Sequence, residues 1–169
     1  MSFMGRDEIR EISDIVGGDN QYKHFVHRIN KEFEASDEER NSYVYVIFQT
    51  DGEKKIGFSV IGFSPAKMKV WKKVFKEEGW VGNDFDMVSD PFELMYMYIQ
   101  PTYRGKGKGT QLFRKVLDFT KTRKVKEVYS YVSDRNPKAL NFYKKMNAEI
   151  IQDLSDEGIT SAFIRWKVR

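Results

Sequence analysis

Residues 98–119 read YIQPTYRGKGKGTQLFRKVLDF, and the order of residue types in this stretch decides the fold. An apolar run ends at Pro101, and from Thr110 onward apolar residues recur at helical spacing. Between them, glycines alternate with cations: Gly105, Gly107 and Gly109 with Arg104, Lys106 and Lys108. Two interpretations are open, because glycines and cations at the start of a helix suit either a bound anion or a solvated basic turn.

Two common phosphate-binding motifs are excluded by the spacing of these glycines. A Walker loop requires Gly-Lys followed by serine or threonine, whereas Gly109 is followed directly by Thr110. The dinucleotide fingerprint requires glycine at relative positions one, three and six, and its sixth position is again Thr110. The placement between a strand and a helix still favours an anion site, since the first amides of a helix lack internal partners.

The composition indicates one globular domain over residues 1–169. The chain is 40% hydrophobic with a formal net charge of +4, which permits an acidic partner without demanding one. It contains no cysteine, so thiolate zinc sites and a cysteine acyl-enzyme are excluded. The N-terminal residues lack the apolar core of a signal peptide and no stretch is long enough to span a bilayer, so we expect a cytoplasmic location and no membrane partner.

The periodicity along the chain predicts an α/β or α+β fold with a single sheet. Helical spacing covers residues 6–35, and a β-rich run from Tyr43 is followed by the hairpin signal Asp51-Gly52. Residues 65–92 are predicted to form an inserted helix and loop before the central strand. A strand–helix–strand crossover follows, which should be parallel and right-handed, and an antiparallel pair of strands closes the chain.

A second segment makes the first one interpretable. Residues 136–150 read NPKALNFYKKMNAEI, with Tyr143 seven positions after Asn136 and a new strand beyond it. Together the two segments resemble the signatures of the GNAT superfamily of acyl-CoA-dependent N-acyltransferases, whose first signature reads Gln/Arg-x-x-Gly-x-Gly/Ala. That pattern is filled here by Arg104, Gly107 and Gly109.

The sequence departs from the family pattern in two places. The family opens with a strand before its first helix, and the start MSFMGRDEIR supports such a strand only weakly. Lys108 stands where the family usually has an apolar residue, which makes the loop more basic and removes no amide donor.

The resemblance implies a GNAT-like fold, a single mixed, mostly antiparallel, splayed β-sheet flanked by helices. It also implies that acetyl-CoA is the acyl donor, with its pyrophosphate on the backbone amides of the glycine loop and its pantetheine amides paired with the preceding strand. Carried over residue by residue, the loop residues are Arg104, Gly105, Lys106, Gly107, Lys108, Gly109 and Thr110, and the strand residues are Met97, Tyr98 and Ile99.

The resemblance further assigns roles to three side chains. Tyr143 would bind the cofactor and protonate the leaving thiolate, Asn136 would contact the cofactor, and Glu93 would act as general base, directly or through water. Each has a simpler interpretation. Tyr143 fits an aromatic packed in a helix, Asn136 an ordinary helix N-cap, and Glu93 a solvated acid at the start of a strand.

The predicted function is an N-acetyltransferase that transfers an acetyl group from acetyl-CoA to a primary amine, directly in a ternary complex. The alternative is a non-catalytic acyl-CoA-binding module of the same fold. The expected acceptor is a small-molecule or peptide amine. No nucleic acid partner is expected, because aromatic residues do not interleave with the cations of residues 104–126. A homodimer is compatible with the sequence.

The acceptor is expected to be shaped by segments that carry no motif, namely residues 22–42, 65–92 and 154–160. Acids within the second segment either attract a cationic amine or form a solvated loop; they are Asp84, Asp86 and Asp90. Two indoles there either line the acceptor cleft or pack a helix and a loop; they are Trp71 and Trp80. No metal is expected, because the chain has two histidines and no cysteine.

Overall fold

A computed structural model describes residues 2–20, 22–36, 42–132, 137–153 and 161–169 of the chain. Contacts between Cα atoms group the chain into two compact units. The first unit comprises Met1–Phe63 and Leu94–Phe119, and the second comprises Ser64–Glu93 and Thr120–Arg169. Each unit has its own apolar core.

Two amphipathic helices open the first unit, as the helical spacing predicts. Helix α1 spans Arg6–Val16 and helix α2 spans Lys23–Ala35. The amide of Gly5 donates to the Glu8 carboxylate at 2.9 Å, which satisfies one of the unpaired groups at the start of α1. α1 ends at Gly17, whose φ of 53° favours glycine.

A β-hairpin forms the centre of the first unit. Strand β1 (Ser2–Phe3) pairs antiparallel with β2 (Tyr43–Asp51), which pairs antiparallel with β3 (Lys54–Phe63). The predicted turn is present, and Gly52 adopts the positive φ of 59° that such a turn requires. β1 is two residues long, so the first family strand is present in a short form.

Strand β4 leads into the glycine segment. β4 spans Phe92–Ile99 and is followed by a 3₁₀ turn at Pro101–Tyr103 and by helix α4 at Lys108–Thr122. The predicted order of strand, glycine loop and helix is therefore confirmed. The missing N–H of Pro101 fits the first position of the 3₁₀ turn, where that group has no partner in the turn.

The core of the first unit packs both helices against the sheet. Its buried side chains include Ile12, Ile29, Val46, Phe58, Val60 and Tyr98. Burying a side chain of this size stabilises a fold by about 1.5–3 kcal/mol. This cluster therefore fixes the positions of α1, β3 and β4, and β4 carries the predicted pantetheine-binding residues Met97, Tyr98 and Ile99.

The second unit contains the remaining elements: α3 (Pro65–Glu77), β5 (Glu127–Val132), α5 (Pro137–Lys145), β6 (Glu149–Asp153) and β7 (Ala162–Lys167). β5 is parallel to β4 through the pairs Phe92↔Val128 and Glu93↔Tyr129. It is antiparallel to β7, which is also antiparallel to β6. The core of this unit includes Met68, Phe75, Met87 and Tyr129.

The described strands follow the order β1-β2-β3-β4-β5-β7-β6 in a seven-stranded sheet. The ladder between β4 and β5 is parallel, and the ladders β1–β2, β2–β3, β5–β7 and β6–β7 are antiparallel, which confirms the predicted mixed, mostly antiparallel sheet flanked by helices. The closing antiparallel pair is also confirmed, with β7 inserted beside β5 and β6 at the edge. Among the described helices, none has both the length and the apolar content needed to cross a bilayer.

Candidate functional site

The glycine segment forms a tight turn that runs into α4. Gly105 and Gly107 adopt φ angles of 74° and 79°, which residues with a side chain rarely tolerate. The Gln111 amide donates to the Gly107 carbonyl at 3.0 Å, which starts the helical hydrogen-bond pattern. A Cβ atom built at Gly105 or Gly107 would meet no heavy atom within 4 Å. At these two positions the turn therefore has open space where a side chain would otherwise stand.

The amides of this turn are available as donors. In the part of the chain that the structure describes, the N–H groups from Gly105 to Thr110 donate to no backbone carbonyl outside the helix. Unpaired amides at a helix N-terminus carry partial positive charge, and successive amides in a left-handed turn form a concave donor surface. The Arg104 amide differs, because it donates to the Pro101 carbonyl at 3.2 Å. A phosphate-like anion fits the donors that follow Arg104.

The lysines of the turn contribute less defined charge. Lys106 is exposed, and its side chain has no ion pair among the described residues. Lys108 is half-buried and places its Nζ 3.4 Å from Oδ1 of Asp51, an exposed residue of the hairpin turn. The fixed donors of the segment are thus the backbone amides, with Lys106 as a solvated charge and Lys108 paired with the hairpin turn.

Arg104 holds the glycine turn against the rest of the first unit. Its Nε donates to the Ile99 carbonyl at 2.8 Å, and its guanidinium lies 5.2 Å and 5.4 Å from the ring centroids of Tyr22 and Tyr98. A terminal nitrogen lies 3.6 Å from Oδ2 of Asp19, which also accepts the Tyr98 hydroxyl at 2.7 Å. Burial raises the pKa of both tyrosines, so they stay neutral beside the cation. Asp19 and Tyr22 have no sequence motif that marks them.

Strand β4 is fixed against β3 just before the turn. A Cβ atom at Gly57 would lie 2.5 Å from the Tyr98 carbonyl oxygen, so only glycine permits this close approach of the two strands. The Ser59 hydroxyl donates to the Tyr96 carbonyl at 3.0 Å. Of the three predicted pantetheine-binding residues, Tyr98 and Ile99 are buried and Met97 is half-buried. Their backbone is therefore held in one register.

A cleft of about 500 Å³ lies beside this strand in the first unit. The loop after α1 and the end of β4 with its turn form the walls, which include Asp14, Gly17, Asp19, Tyr98, Gln100 and Thr102. The Gln100 side chain donates to the Ile15 carbonyl at 3.1 Å and thereby connects the two walls. The carboxylates of Asp14 and Asp19 make the cleft acidic. Residues 14–20 were missed at the level of sequence, because a helix end with two glycines has no functional signature.

Glu93, the predicted general base, is buried and ion-paired. It is 5% exposed and lies opposite Tyr129 in the parallel ladder. Lys67, in the first turn of α3, places its Nζ 3.0 Å from Oε1 and 2.9 Å from Oε2 of Glu93. This burial excludes the interpretation of Glu93 as a solvated acid. Lys67 could not be found from the sequence, because the pair joins positions 26 residues apart with no motif between them.

Tyr143, the predicted proton donor, is packed within the second unit. It is 7% exposed, and its ring lies 5.5 Å from Phe142 and 5.3 Å from Trp166, edge-on to both. The Trp166 indole donates to the Met146 carbonyl at 3.2 Å and fixes the end of α5. Burial raises the pKa of Tyr143, with no hydrogen bond to the hydroxyl among the described residues. The phenol is therefore protonated at neutral pH.

The acidic loop after α3 is solvated. Asp86 accepts a hydrogen bond from Lys72 at 3.0 Å on the protein surface, and this bond is the main cause of the lowered pKa of Asp86. Trp71 and Trp80 pack against Phe163 at centroid distances of 5.1 Å and 5.6 Å. These contacts favour the solvated loop and the packing role over an acceptor site formed by the acids and indoles.

The predicted site residues divide between the two units. The loop residues 104–110 and the strand residues Met97–Ile99 lie in the first unit, and Glu93 and Tyr143 lie in the second. Asn136 and the predicted acceptor segment 154–160 lie outside the described residues. Among the described residues, no group of three or more acidic or histidine side chains is arranged to hold a metal ion.

A comparison with protein families gives a match over most of the chain. The model described as the acetyltransferase (GNAT) family matches residues 9–148 of this chain. The matched range contains the glycine turn, Lys67, Glu93 and Tyr143.

Individual relatives match shorter segments. An uncharacterized N-acetyltransferase of Methanocaldococcus jannaschii is 30% identical over 79 residues, which are 44% of this chain and 35% of that protein. The mouse thialysine N-epsilon-acetyltransferase is 37% identical over 60 residues, which are 36% of this chain and 34% of that protein. The matched segments thus span about a third of the length of these curated relatives.

Solved structures match the whole chain. The PaiA N-acetyltransferase of Thermoplasma acidophilum, solved in complex with coenzyme A, aligns with a TM-score of 0.61 and 13% identity. The alignment covers 98% of this chain and 96% of that chain. At this level of identity the likeness shows the fold.

Proposed function

Because the chain belongs to the acetyltransferase (GNAT) family, we propose that it transfers an acetyl group from acetyl-CoA to a primary amine, directly in a ternary complex. The family uses acetyl-CoA, which supplies an activated acetyl thioester when bound. One observation carries the proposal: within the matched range, a turn with two glycines at positive φ runs into a helix, and its amides from Gly105 to Thr110 have no backbone acceptor outside that helix among the described residues.

The first unit supplies the residues that would hold acetyl-CoA. The amides from Gly105 to Thr110 would donate to its pyrophosphate, because they have no competing backbone acceptor outside the helix in the described chain. The backbone of Met97–Ile99 would pair with its pantetheine amides. Lys106 would add a screened charge of secondary importance. Arg104 would hold the turn in its binding conformation through its side chain.

Replacing Arg104 by methionine is expected to weaken acetyl-CoA binding by about 5- to 10-fold, equivalent to about 1–1.4 kcal/mol. The amide donors remain, but the turn loses its bond to the Ile99 carbonyl and its stacking on two tyrosines. Isothermal calorimetry measures the change. Arg104→Lys should recover little of the affinity, since a lysine cannot reproduce a stacked, planar guanidinium.

The matched control for Arg104→Met is Lys115→Met. Lys115 is an exposed lysine on α4 whose Nζ lies 3.4 Å from the Phe48 carbonyl, outside the glycine turn. Its replacement removes the same charge and is expected to leave affinity within about twofold of the wild type. Equal losses in both variants would show that Arg104 acts only through its charge and not by holding the turn.

The second unit supplies the two groups for proton transfer. The carboxylate of Glu93 would take a proton from the acceptor ammonium, because a protonated amine has no lone pair for attack. The Tyr143 hydroxyl would give its proton to the departing sulfur, and its burial keeps that proton in place until then. A carboxylate has about four acceptor positions. Lys67 contacts both oxygens of Glu93, so a proton reaches the remaining positions directly or through water.

The acceptor is proposed to be a cationic primary amine on a small molecule or a peptide. Asp14 and Asp19 line the cleft beside β4 and would attract such a group. A relative that matches over about a third of its length is named a thialysine N-epsilon-acetyltransferase, which supports including alkylamines among the candidates.

The experiment that tests the proposal is thiol release from acetyl-CoA in the presence of a panel of alkylamines, polyamines and peptides. The protein has no cysteine, so a thiol reagent reports only the coenzyme A that is released. Amine-dependent release is the expected result. Absence of acetyl-CoA binding by calorimetry would contradict the proposal outright. Binding without turnover on any amine would instead identify a non-catalytic acyl-CoA-binding module.

A further inference from the structure

The ion pair between Lys67 and Glu93 stands out in the second unit because its two partners differ in exposure. The Glu93 side chain is 7% exposed, whereas that of Lys67 is 36% exposed. The Lys67 ammonium lies 3.0 Å from one Glu93 carboxylate oxygen and 2.9 Å from the other. The buried carboxylate is therefore in contact with a cation that is itself partly exposed to solvent.

The position of Lys67 in its helix points to a role beyond helix formation. It lies in the first turn of α3, where the helix dipole disfavours a cation, and that turn contains no acid to compensate. Its Nζ lies 5.6 Å from the centroid of the Trp71 ring, a further contact that suits a cation. The ion pair with Glu93 offsets the unfavourable interaction between the Lys67 cation and the helix dipole.

Several other charged groups described on this face of the sheet have partners of their own. Paired residues point to the same face, so Glu93, Tyr129 and Arg165 share it. Arg165 places one nitrogen 3.4 Å from the Glu127 carboxylate and another 2.7 Å from that of Glu149. Tyr129 donates its hydroxyl to Glu127 at 3.1 Å. From α3 and the following loop, Lys72 pairs with Asp86. Lys67 differs from these cations in that its ammonium contacts Glu93.

We propose that Lys67 is a positioning residue that keeps the buried carboxylate of Glu93 ionised, and so able to accept a proton from the acceptor ammonium. This inference rests on the function proposed above. A carboxylate that loses its solvent and has no cation beside it takes up a proton, and a carboxylic acid cannot act as a base. The step is balanced: the ammonium becomes a neutral amine, Glu93 becomes an acid, and the proton then passes to solvent.

The direct test is a carbon-13 titration of the glutamate carboxyl groups in the full chain. The Glu93 resonance is assigned by its loss in Glu93→Gln. In Lys67→Met its titration midpoint is expected to rise by about one pH unit or more above that of the wild type. Lys67→Arg, which restores a cation, should bring the midpoint back toward the wild-type value. An unchanged midpoint in Lys67→Met would overturn the inference.

The matched control is Lys73→Met. Lys73 lies on the same helix and forms an exposed pair with Glu77 at 3.7 Å, so its loss removes the same charge without reaching Glu93. It is expected to leave the Glu93 midpoint in place. If Lys67→Met does not fold, Lys67→Gln replaces it, because the glutamine is neutral and retains a hydrogen-bond donor. An upward shift in Lys73→Met equal to that in Lys67→Met would also overturn the inference.

The pH dependence of kcat/KM gives a second readout. The acid limb of the profile in Lys67→Met is expected to move to higher pH by about the same one unit or more, with Lys67→Arg restoring it. The carboxyl titration needs no turnover, so the two failures can be told apart. No thiol release in the wild type would contradict the proposed activity alone, whereas a fixed Glu93 midpoint would contradict the role of Lys67 alone.

Discussion

Replacing Tyr143 by phenylalanine is expected to lower kcat by about 100- to 10,000-fold, the usual contribution of a positioned proton donor. The affinity for acetyl-CoA should stay within about twofold of the wild type, because a transition-state interaction is lost without a change in ground-state binding. Calorimetry for affinity and thiol release for kcat measure the two quantities separately.

The packing of Tyr143 makes this substitution interpretable. Phenylalanine keeps the ring and therefore its edge-on contacts with Phe142 and Trp166, and it removes only the hydroxyl. Burial raises the pKa of Tyr143 above about 10, the ordinary pKa of a tyrosine. Deprotonation of Tyr143 should therefore cause no loss of kcat below about pH 10.

Tyr129→Phe is the matched control for Tyr143→Phe. Tyr129 is a fully buried tyrosine of the same unit whose pKa is also raised by burial, and its hydroxyl donates to Glu127. Its replacement should lower the free energy of unfolding by about 1 kcal/mol and leave kcat nearly unchanged. An unchanged kcat in Tyr143→Phe would remove its proposed role and leave the packed aromatic as the correct interpretation.

Replacing Gly107 by valine is expected to weaken acetyl-CoA binding by about 10- to 100-fold, equivalent to about 1.4–2.7 kcal/mol. A side chain at a φ of 79° is strained by about 1–2 kcal/mol and drives the turn out of this conformation. The new side chain also enters the open space next to the amides. Lys106→Ala should be milder, at less than about 5-fold, because an exposed lysine contributes a screened charge.

Gly79→Val separates loss of binding from loss of stability. Gly79 has a φ of 70° and open space at its Cβ position, as Gly107 does, but it follows α3 and lies outside the glycine turn. Both substitutions should destabilise the fold to a similar extent, and only Gly107→Val should weaken binding. If Lys106→Ala were as damaging as Gly107→Val, the lysines and not the amides would be the main anion-binding groups.

Local structure could be read from the sequence wherever neighbouring residues decide it. The hairpin at Asp51-Gly52 was predictable because a positive φ at Gly52 is a property of the turn itself. The same holds for the glycine turn before α4, where Pro101 and the glycines fix the backbone. The two signature segments then related these local features to one family, and the family match over residues 9–148 agrees with that relation.

The partners of the site residues could not be read in this way. Asp19 and Tyr22 meet Arg104 only because the buried face of α1 and α2 packs on the sheet. Lys67 meets Glu93 only because α3 covers the face where β4 and β5 pair. Such contacts depend on the packing of elements that are distant in sequence. Periodicity predicts which face of an element is buried, but it does not predict which residues of another element pack against that face.

The stretch from Tyr98 to Phe119 shows the division between sequence and tertiary structure. By itself the sequence determined a strand, a glycine turn with unpaired amides and a helix, since backbone angles and helix ends are set by local chemistry. Only the tertiary structure decided that Arg104 serves as a support for the turn, that Lys108 pairs with Asp51 of the hairpin turn, and that Glu93 is buried against a lysine. The physical reason is that burial and ion pairing arise when distant elements pack together, and no single segment contains that information.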